Sequence, residues 1–481
     1  MITLSLIIIP LLFSLILFVS KSAKSKQIAM IAALLECGIG VTAFWMHQHG
    51  QTEWLTFMKD WNGPLGMTCA FHLDGISAVM ALLVAVVFPL VVYASFNEEP
   101  RNPSVYYGLM LAMIASMVGA FTTTDAILFY AFYEFALIPV FFMILTWSKA
   151  VDVRAIVTKF FLYTLFGSLF MLLSLLYVYQ HAGSFDLQKM IAAGRALSGA
   201  EQGWVFAGFF IAFAVKIPVF PFHSWQPSTY DAAPTSATML LGGIMLKMAS
   251  YGLIRWVLPM LPEGVAEYGS WALALSAFSV LYASWMAISQ KRMKLLLAWS
   301  SVAHLGVLSA GILSGTVQGV QGGVFEMFSH GILTVGLFFV YDIIQRRMGT
   351  DEIAKLGGIR EVNPLFAFLF FALVMGSVAL PFTSGFVGEF MMLMGLYQVS
   401  PMLTALAGLT VVLGAVYMLR AFQASMLGSA NAHTQGFAAL SGQEKIVLSL
   451  VVALVVLFGI YPQAVLSASN EAVNSIILGK F

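Results

Sequence analysis

Residues Phe213 to Trp256 read FAVKIPVFPFHSWQPSTYDAAPTSATMLLGGIMLKMASYGLIRW. Two apolar runs, each with one lysine, flank a more polar segment, and the sequence Lys216-Ile217-Pro218-Val219-Phe220-Pro221 closes the first run. Proline removes a backbone donor and clashes with the preceding turn, so we expect the first helix to break there. The stretch therefore predicts two apolar helices, one of them interrupted, with an ionisable group in each.

The composition of the whole chain places such helices in a lipid bilayer. Of its 481 residues 60% are hydrophobic and 9% are charged, whereas a soluble protein has about 25% charged residues. This excludes a soluble enzyme, a disordered chain and a nucleic-acid-binding protein. The two cysteines, Cys37 and Cys69, are too few for a disulfide framework, a four-thiolate zinc site or an iron–sulfur ligand set.

Apolar runs long enough to cross a bilayer, which takes about 20 residues, recur along the chain and predict an all-α polytopic membrane protein. We count fourteen, near residues 1–20, 28–46, 75–96, 105–123, 126–147, 156–179, 203–222, 234–258, 270–289, 295–314, 321–344, 364–396, 402–424 and 444–462. If these helices alternate in direction, most of the 23 Lys and Arg residues fall on one side. The positive-inside rule then predicts that both termini lie outside.

A second proline break lies in the twelfth run, at Leu380-Pro381-Phe382-Thr383-Ser384-Gly385. Paired broken helices in the two halves of a chain indicate an inverted-repeat transporter with an ion path between the repeats. For either site alone, an ordinary proline kink is an equally simple interpretation. An ionisable group beside each break favours the transporter interpretation for the pair.

Charged residues near the bilayer centre cost several kcal/mol, so those that occur there are candidates for a proton path. The candidates are Glu134, Lys216, Lys247, His304, His330 and Glu389. A Glu134–Lys216 pair that opens and closes would act as a switch, because each charge changes the proton affinity of the other. The alternative for this pair is a static buried ion pair, and each histidine is as simply interpreted as a hydrogen-bonded core residue.

Other polar residues are given simpler roles. His47 and His49 lie in an outside loop with no other ligands nearby, so we predict no metal site. Glu36 and Asp125 lie near helix ends, where they are expected to face lipid headgroups, and Asp74 is expected to be a helix cap or the mouth of a channel.

The stretch from Phe213 to Trp256 closely resembles the core motif of the antiporter-like subunits of respiratory complex I, the proton-pumping NADH:quinone oxidoreductase. The resemblance continues through Lys291–Leu308 (KRMKLLLAWSSVAHLGVL) and Leu380–Phe390 (LPFTSGFVGEF) and covers nearly the whole chain. It implies a single membrane domain, residues 1–481, with two inverted five-helix repeats and broken seventh and twelfth helices. The implied parts are N-terminal helices one to three in 1–104, a first repeat in 105–258, a second in 270–424, and a C-terminal loop and helix in 425–481.

The resemblance also implies roles for the candidates. Glu134 and Lys216 would be the switching pair, Lys247 the central connecting lysine, His304 a member of the polar axis, and Glu389 the terminal group. The family often has a histidine after the seventh helix, where this chain has Tyr230. Tyrosine titrates far above neutral pH, so we expect water or His223 to substitute there.

The function implied is proton translocation in the membrane arm of complex I, in the bacterial cytoplasmic membrane. No cofactor is expected in this chain, and FMN and iron–sulfur clusters are expected on other subunits. The expected partners are the antiporter-like subunits L and N on its two sides, lipid and protons. The alternatives are a subunit of a multisubunit sodium/proton antiporter and a passive structural spacer. The acid Glu389 argues against the antiporter, since the related antiporters usually have lysine at that position.

Overall fold

Helices occupy every apolar run that the sequence predicts to cross the membrane. The computed structural model describes residues 1–479. Within those residues, twelve helical spans are long and apolar enough to cross a membrane. The two other predicted spans, the seventh and the twelfth, are the ones expected to be broken. The all-α prediction, with about fourteen spans, is therefore confirmed.

The helices are numbered in chain order. They are α1 (Ile2–Ser20), α2 (Ser25–Gln48), α3 (Gly75–Ala94), α4 (Pro103–Thr122), α5 (Ala126–Phe135), α6 (Leu137–Trp147), α7 (Val153–Ala182), α8 (Leu187–Ala196), α9 (Gly199–Lys216), α10 (Gln226–Ala232), α11 (Thr235–Leu240), α12 (Lys247–Gly252), α13 (Leu258–Met260), α14 (Pro262–Ser289), α15 (Met293–Leu313), α16 (Val317–Met348), α17 (Ile359–Val362), α18 (Pro364–Ser377), α19 (Ser384–Val399), α20 (Pro401–Met426), α21 (Gly442–Ile460) and α22 (Gln463–Leu478). An antiparallel hairpin between α2 and α3 is formed by β1 (Thr56–Asn62) and β2 (Met67–His72).

Both helix breaks predicted at proline-containing segments are present. Helix α9 ends at Lys216, and after a short 3₁₀ turn the chain resumes as α10 at Gln226. The second break lies between Ser377 at the end of α18 and Ser384 at the start of α19, and it contains Pro381. Each break lies close to an ionisable residue. Lys216 is the last residue of α9, and Glu389 lies in the second turn of α19.

Neighbouring side chains satisfy backbone groups that the first break exposes. The indole N–H of Trp225 donates a hydrogen bond of 2.7 Å to the carbonyl of Val215. The Ser279 hydroxyl accepts a hydrogen bond of 3.2 Å from the backbone N–H of Phe220. An unpaired buried backbone group costs about as much as a lost hydrogen bond. These contacts therefore allow irregular backbone to persist inside the protein at membrane depth.

Two further irregularities were not predicted. Ala136 separates α5 from α6, three residues before Pro139, whose ring is incompatible with the carbonyl of the preceding turn. The eighth span, Thr235–Met260, contains two π-helical segments, Leu241–Met245 and Leu253–Val257. Single-turn π segments occur frequently at functional sites. Here the first one immediately precedes α12.

Glycines allow α16 to lie directly against the first π-helical segment. A Cβ atom added at Gly331 would lie 2.7 Å from the carbonyl oxygen of Gly243 and 2.6 Å from the side chain of Leu83. Since no side chain separates the two backbones, Lys247, one turn after Gly243, and His330, the residue before Gly331, come within hydrogen-bond distance. The eighth span and α16 are buried along their length, whereas α20 and α21 expose most of theirs.

Candidate functional site

Lys216 lies against the break between α5 and α6. Its ammonium donates a hydrogen bond of 2.9 Å to the backbone carbonyl of Tyr133 and lies 3.4 Å from the centre of the Tyr133 ring. Glu134 is the next residue, and its Oε1 has no hydrogen-bond partner among residues 1–479. Within the same residues Lys216 and Glu134 form no ion pair. The two members of the predicted switching pair are therefore adjacent but not in contact.

This open arrangement gives the pair two electrostatic states. In the state observed, a neutral carbonyl and an aromatic ring stabilise the ammonium of Lys216 without a fixed counter-charge. Movement of α5 toward α9 would strengthen the attraction between the opposite charges, and the reverse movement would weaken it. Such a pair can couple a shift of the helices to the binding or release of a proton.

Lys247 begins α12, immediately after the first π-helical segment, and is fully buried. Its ammonium donates a hydrogen bond to the carbonyl of Gly242 and another, of 2.9 Å, to Nδ1 of His330. His330 is also 3.1 Å from the hydroxyl of Thr334 and, through Nε2, 3.4 Å from the hydroxyl of Ser301. A lysine and a histidine in direct contact meet the distance requirement for proton transfer.

A second titratable pair joins α15 to α19. His304 Nδ1 lies 2.7 Å from Oε1 of Glu389, and both side chains are buried. The ring centres of His304 and His330 are 6.0 Å apart, and Nε2 of His304 has no partner among residues 1–479. The structure thus brings four of the predicted residues, Lys247, His330, His304 and Glu389, into one buried row.

A cavity of about 20 Å³ lies beside three members of this row, His330, His304 and Glu389. A buried water needs a cavity of about 10–15 Å³ and two to four polar partners. Polar groups of the lining include Ser300, Ser301, His304, Glu326, His330 and Glu389. The cavity can therefore hold a water molecule beside the two histidines.

Glu326 is a member of this site that sequence reasoning missed. It lies on α16 one turn before His330, is 2% exposed, and its Oε2 has no partner among the described residues. The sequence analysis predicted an apolar span near residues 321–344 but did not consider Glu326 within it. The helix begins at Val317, nine residues before Glu326, so the carboxyl lies more than two turns inside it. The signal was available as a lone acid in an apolar run.

His223 is not brought to the row. Its ring lies 5.6 Å from that of Phe220 and 4.9 Å from that of Tyr282, its Nδ1 has no partner, and within residues 1–479 it does not contact Lys216. Tyr230 is closer to the site, since a Cβ added at Gly242 would lie 2.8 Å from the Tyr230 hydroxyl. That tyrosine therefore borders the carbonyl that holds Lys247.

The expectation that Glu36 and Asp125 face headgroups is wrong. Glu36 is 1% exposed, and Asp125 caps α5 by accepting hydrogen bonds from two backbone N–H groups of its first turn. Asp74 is a cap of α3 and pairs with Arg255 at 2.5 Å. Burial opposes ionisation of Asp74, but the charge and hydrogen bonds of Arg255 and the N–H of Ser77 outweigh it and lower the pKa of Asp74 to about 2.

The prediction that His47 and His49 lie in a loop is wrong, because they lie at the C-terminal end of α2, where they make separate contacts. His47 lies 3.2 Å from the carbonyl of Ala468, and His49 stacks on Trp45 with ring centres 4.2 Å apart. Among the residues that the structure describes, no three His, Cys, Asp or Glu side chains are grouped so that they could hold a metal ion.

Comparisons with known proteins show the family to which this chain belongs. A family model described as NADH:quinone oxidoreductase/Mrp antiporter, TM, matches residues 123–414. NADH-quinone oxidoreductase subunit M of Rickettsia bellii is 36% identical over 489 residues, which cover 100% of this chain and 98% of the relative. A chain in the solved structure of respiratory complex I from Thermus thermophilus with bound NADH is 31% identical, with a TM-score of 0.91 and coverage of 99% and 100%.

A chain of the Mrp complex from a Dietzia species is 19% identical, with a TM-score of 0.86, and covers 99% of this chain and 97% of its own length. At that identity the match shows a shared fold alone. The fold is thus that of the antiporter-like subunits, with two inverted five-helix repeats and broken seventh and twelfth helices.

Proposed function

Because this chain belongs to the NADH:quinone oxidoreductase/Mrp antiporter transmembrane family, we propose that it translocates protons as subunit M of a bacterial respiratory complex I. Electron transfer from NADH to quinone would take place on other subunits, which would carry the FMN and iron–sulfur clusters. The observation that carries the proposal is the buried row Lys247–His330–His304–Glu389, whose direct contacts are 2.9 and 2.7 Å long.

The geometry suggests an order of proton transfer within the row. Lys247 would give a proton to Nδ1 of His330, and water and polar groups of the cavity would carry it across the 6.0 Å between the histidine rings to Glu389, which His304 contacts. Lys216 and Glu134 would set the charge at the other end of the path. Moving one charge against 100 mV costs about 2.3 kcal/mol, and this energy would come from electron transfer through linked changes in charge and hydration.

The proposed neighbours are the antiporter-like subunits L and N, and the proposed location is the bacterial cytoplasmic membrane with both termini outside. Apolar side chains near the second break support a neighbour or lipid at that surface. Phe382 is 75% exposed and Phe390 is 51% exposed, on either side of the first turns of α19. An exposed apolar patch beside a buried acid is suited to contact with another membrane protein.

The experiment is to replace Lys216 or Lys247 by alanine and to assay the whole complex in native membranes. We expect each variant to assemble and to oxidise NADH, while proton pumping per NADH falls. Lys355→Ala is the control, because Lys355 is half exposed and pairs with Glu352 on the surface. Unchanged pumping in both test variants would overturn the relay. Pumping that requires sodium would instead favour the antiporter alternative.

A further inference from the structure

We propose that Glu326 is a proton carrier between His330 and Glu389, and this inference rests on the proposed function. Neither the broken-helix pattern nor the resemblance to the antiporter-like subunits assigned it a role. The proposal makes the end of the row a site of two carboxyls, Glu326 and Glu389, rather than one.

The position of Glu326 is built by its neighbours. A Cβ added at Gly388 would lie 2.5 Å from Oε2 of Glu326 and 3.0 Å from its Cα. Because Gly388 has no side chain, the Glu326 carboxyl can lie directly against α19 at that residue, which immediately precedes Glu389. Both carboxyls line the cavity that can hold water. Water in it could reach the two acids without any movement of the helices.

Glu326 combines an unpartnered Oε2 with a place in the lining of the cavity, and a purely structural role does not account for both. A buried polar atom without a hydrogen bond costs several kcal/mol, and a structural carboxyl is normally paired or capped. Asp125 and Asp74 in this chain have such partners, because each side chain caps a helix by accepting hydrogen bonds from backbone N–H groups of its first turn. Glu326 makes no ion pair among residues 1–479, and its Oε2 lacks a partner.

The charged groups around Glu326 act in opposite directions. Lys247, on the eighth span, attracts its negative charge, whereas Glu389, on α19, repels it. His330 lies one turn away on α16, and His304 on α15 lines the same cavity. Transfer of a proton out of Lys247, or into Glu389, therefore changes the charge that Glu326 prefers.

The proposed step moves one proton and no electrons. An N–H bond of protonated His330 breaks, and an O–H bond forms on the Glu326 carboxylate through water in the cavity. The same O–H bond then breaks as the proton passes to Glu389 in its ionised form. Glu326 returns to a carboxylate and His330 to the neutral ring, ready to accept the next proton from Lys247.

The test is Glu326→Gln in the intact complex, with Glu36→Gln as the matched control. Glu36 is likewise buried with an unpartnered Oε2, but it lies on α2, away from the row. A positioned proton carrier contributes about 10²-fold or more, so we expect Glu326→Gln to lower pumping roughly tenfold at least and Glu36→Gln to leave it unchanged. Glu326→Asp, which keeps the carboxyl, should restore part of the pumping.

An infrared difference spectrum separates the two roles, because a carboxyl with a purely structural role would show no change in protonation during turnover. Turnover should protonate and deprotonate a carboxyl whose C=O band is lost in Glu326→Gln and kept in Glu36→Gln. Normal pumping in Glu326→Gln, or an unchanged band, would overturn the inference. If Lys247→Ala lowers pumping while Glu326→Gln does not, the proposed function survives and only the role of Glu326 is refuted. If neither variant lowers pumping, the result counts against both the role of Glu326 and the proposed function. If Glu326→Gln does not assemble, the same spectrum of Glu326→Asp decides, since a carrier must give a shifted band.

Discussion

Replacing Gly331 by alanine should uncouple proton pumping from NADH oxidation without touching any titratable group. The added Cβ would lie 2.7 Å from the Gly243 carbonyl oxygen, and ordinary van der Waals contact begins at 3.4 Å. The difference, 3.4 minus 2.7, requires α16 and the eighth span to separate by about 0.7 Å. Backbone cannot yield as a flexible side chain would, and overpacking of this kind costs about 1–3 kcal/mol of folding free energy.

The functional effect follows from the same displacement. If the same separation of about 0.7 Å applies at the Lys247–His330 contact, the distance between Lys247 Nζ and His330 Nδ1 increases from 2.9 Å to about 3.6 Å, which is too long for a hydrogen bond. A misplacement of about 1 Å in a reacting pair costs up to about 10²-fold in rate. We therefore expect Gly331→Ala to lower proton pumping strongly.

The assay is proton uptake by inverted membrane vesicles, measured together with NADH oxidation and the thermal stability of the purified complex. Gly38→Ala is the control, because Gly38 is a helical glycine with nothing within 4 Å of an added Cβ. It should be neutral or stabilising by up to about 1 kcal/mol. The reasoning is refuted if Gly331→Ala pumps at the normal rate and unfolds at the normal temperature.

Three other changes have outcomes that the structure predicts. Glu134→Gln should leave the complex assembled and lower pumping per NADH, because Lys216 loses its switching partner; this is measured in the same vesicles. His304→Ala should lower the free energy of unfolding by about 1.5–3 kcal/mol, the value of a hydrogen bond to a charged group, as measured by thermal denaturation in detergent. Asp74→Asn should cost roughly 2 kcal/mol at pH 7, since a pKa lowered from 3.8 to about 2 corresponds to that stabilisation. Because the pKa of Asp74 is lowered, its carboxylate stabilises the folded state at pH values above the ordinary pKa of 3.8, and this stability is lost as the pH falls through about 2. The unfolding curves of Asp74→Asn and the native chain should therefore converge near that pH.

The helices and the two proline breaks were predictable because both depend on local sequence. Apolar runs and prolines act on the backbone within one turn, so Lys216 and Lys247 could be placed in the membrane from the sequence alone. The break at Ala136 was missed although Pro139 signals it, because the apolar run continues through it. The β-hairpin and α22 were missed because neither forms a long apolar run.

The contacts between helices could not be read from the sequence. Nothing local pairs Lys247 with His330, 83 positions away, or Glu389 with His304. Those pairs depend on close backbone approach at Gly243 and Gly331, and glycines are common throughout the chain. Glu326 was missed for a related reason, since its place beside α19 depends on the close approach of the two helices at Gly388.

The partners of the two lysines explain why their charges can be both buried and movable. Lys216 donates to the carbonyl of Tyr133 beside the break after α5, and Lys247 donates to the carbonyl of Gly242 inside a π-helical segment. Irregular backbone supplies these acceptors, since a regular helix binds its own carbonyls internally. A neutral carbonyl satisfies an ammonium less strongly than a carboxylate would, so the proton stays available to a neighbour such as His330. A fixed ion pair at either position would hold the proton more tightly. We therefore propose that helix irregularity beside each lysine is part of the transfer chemistry.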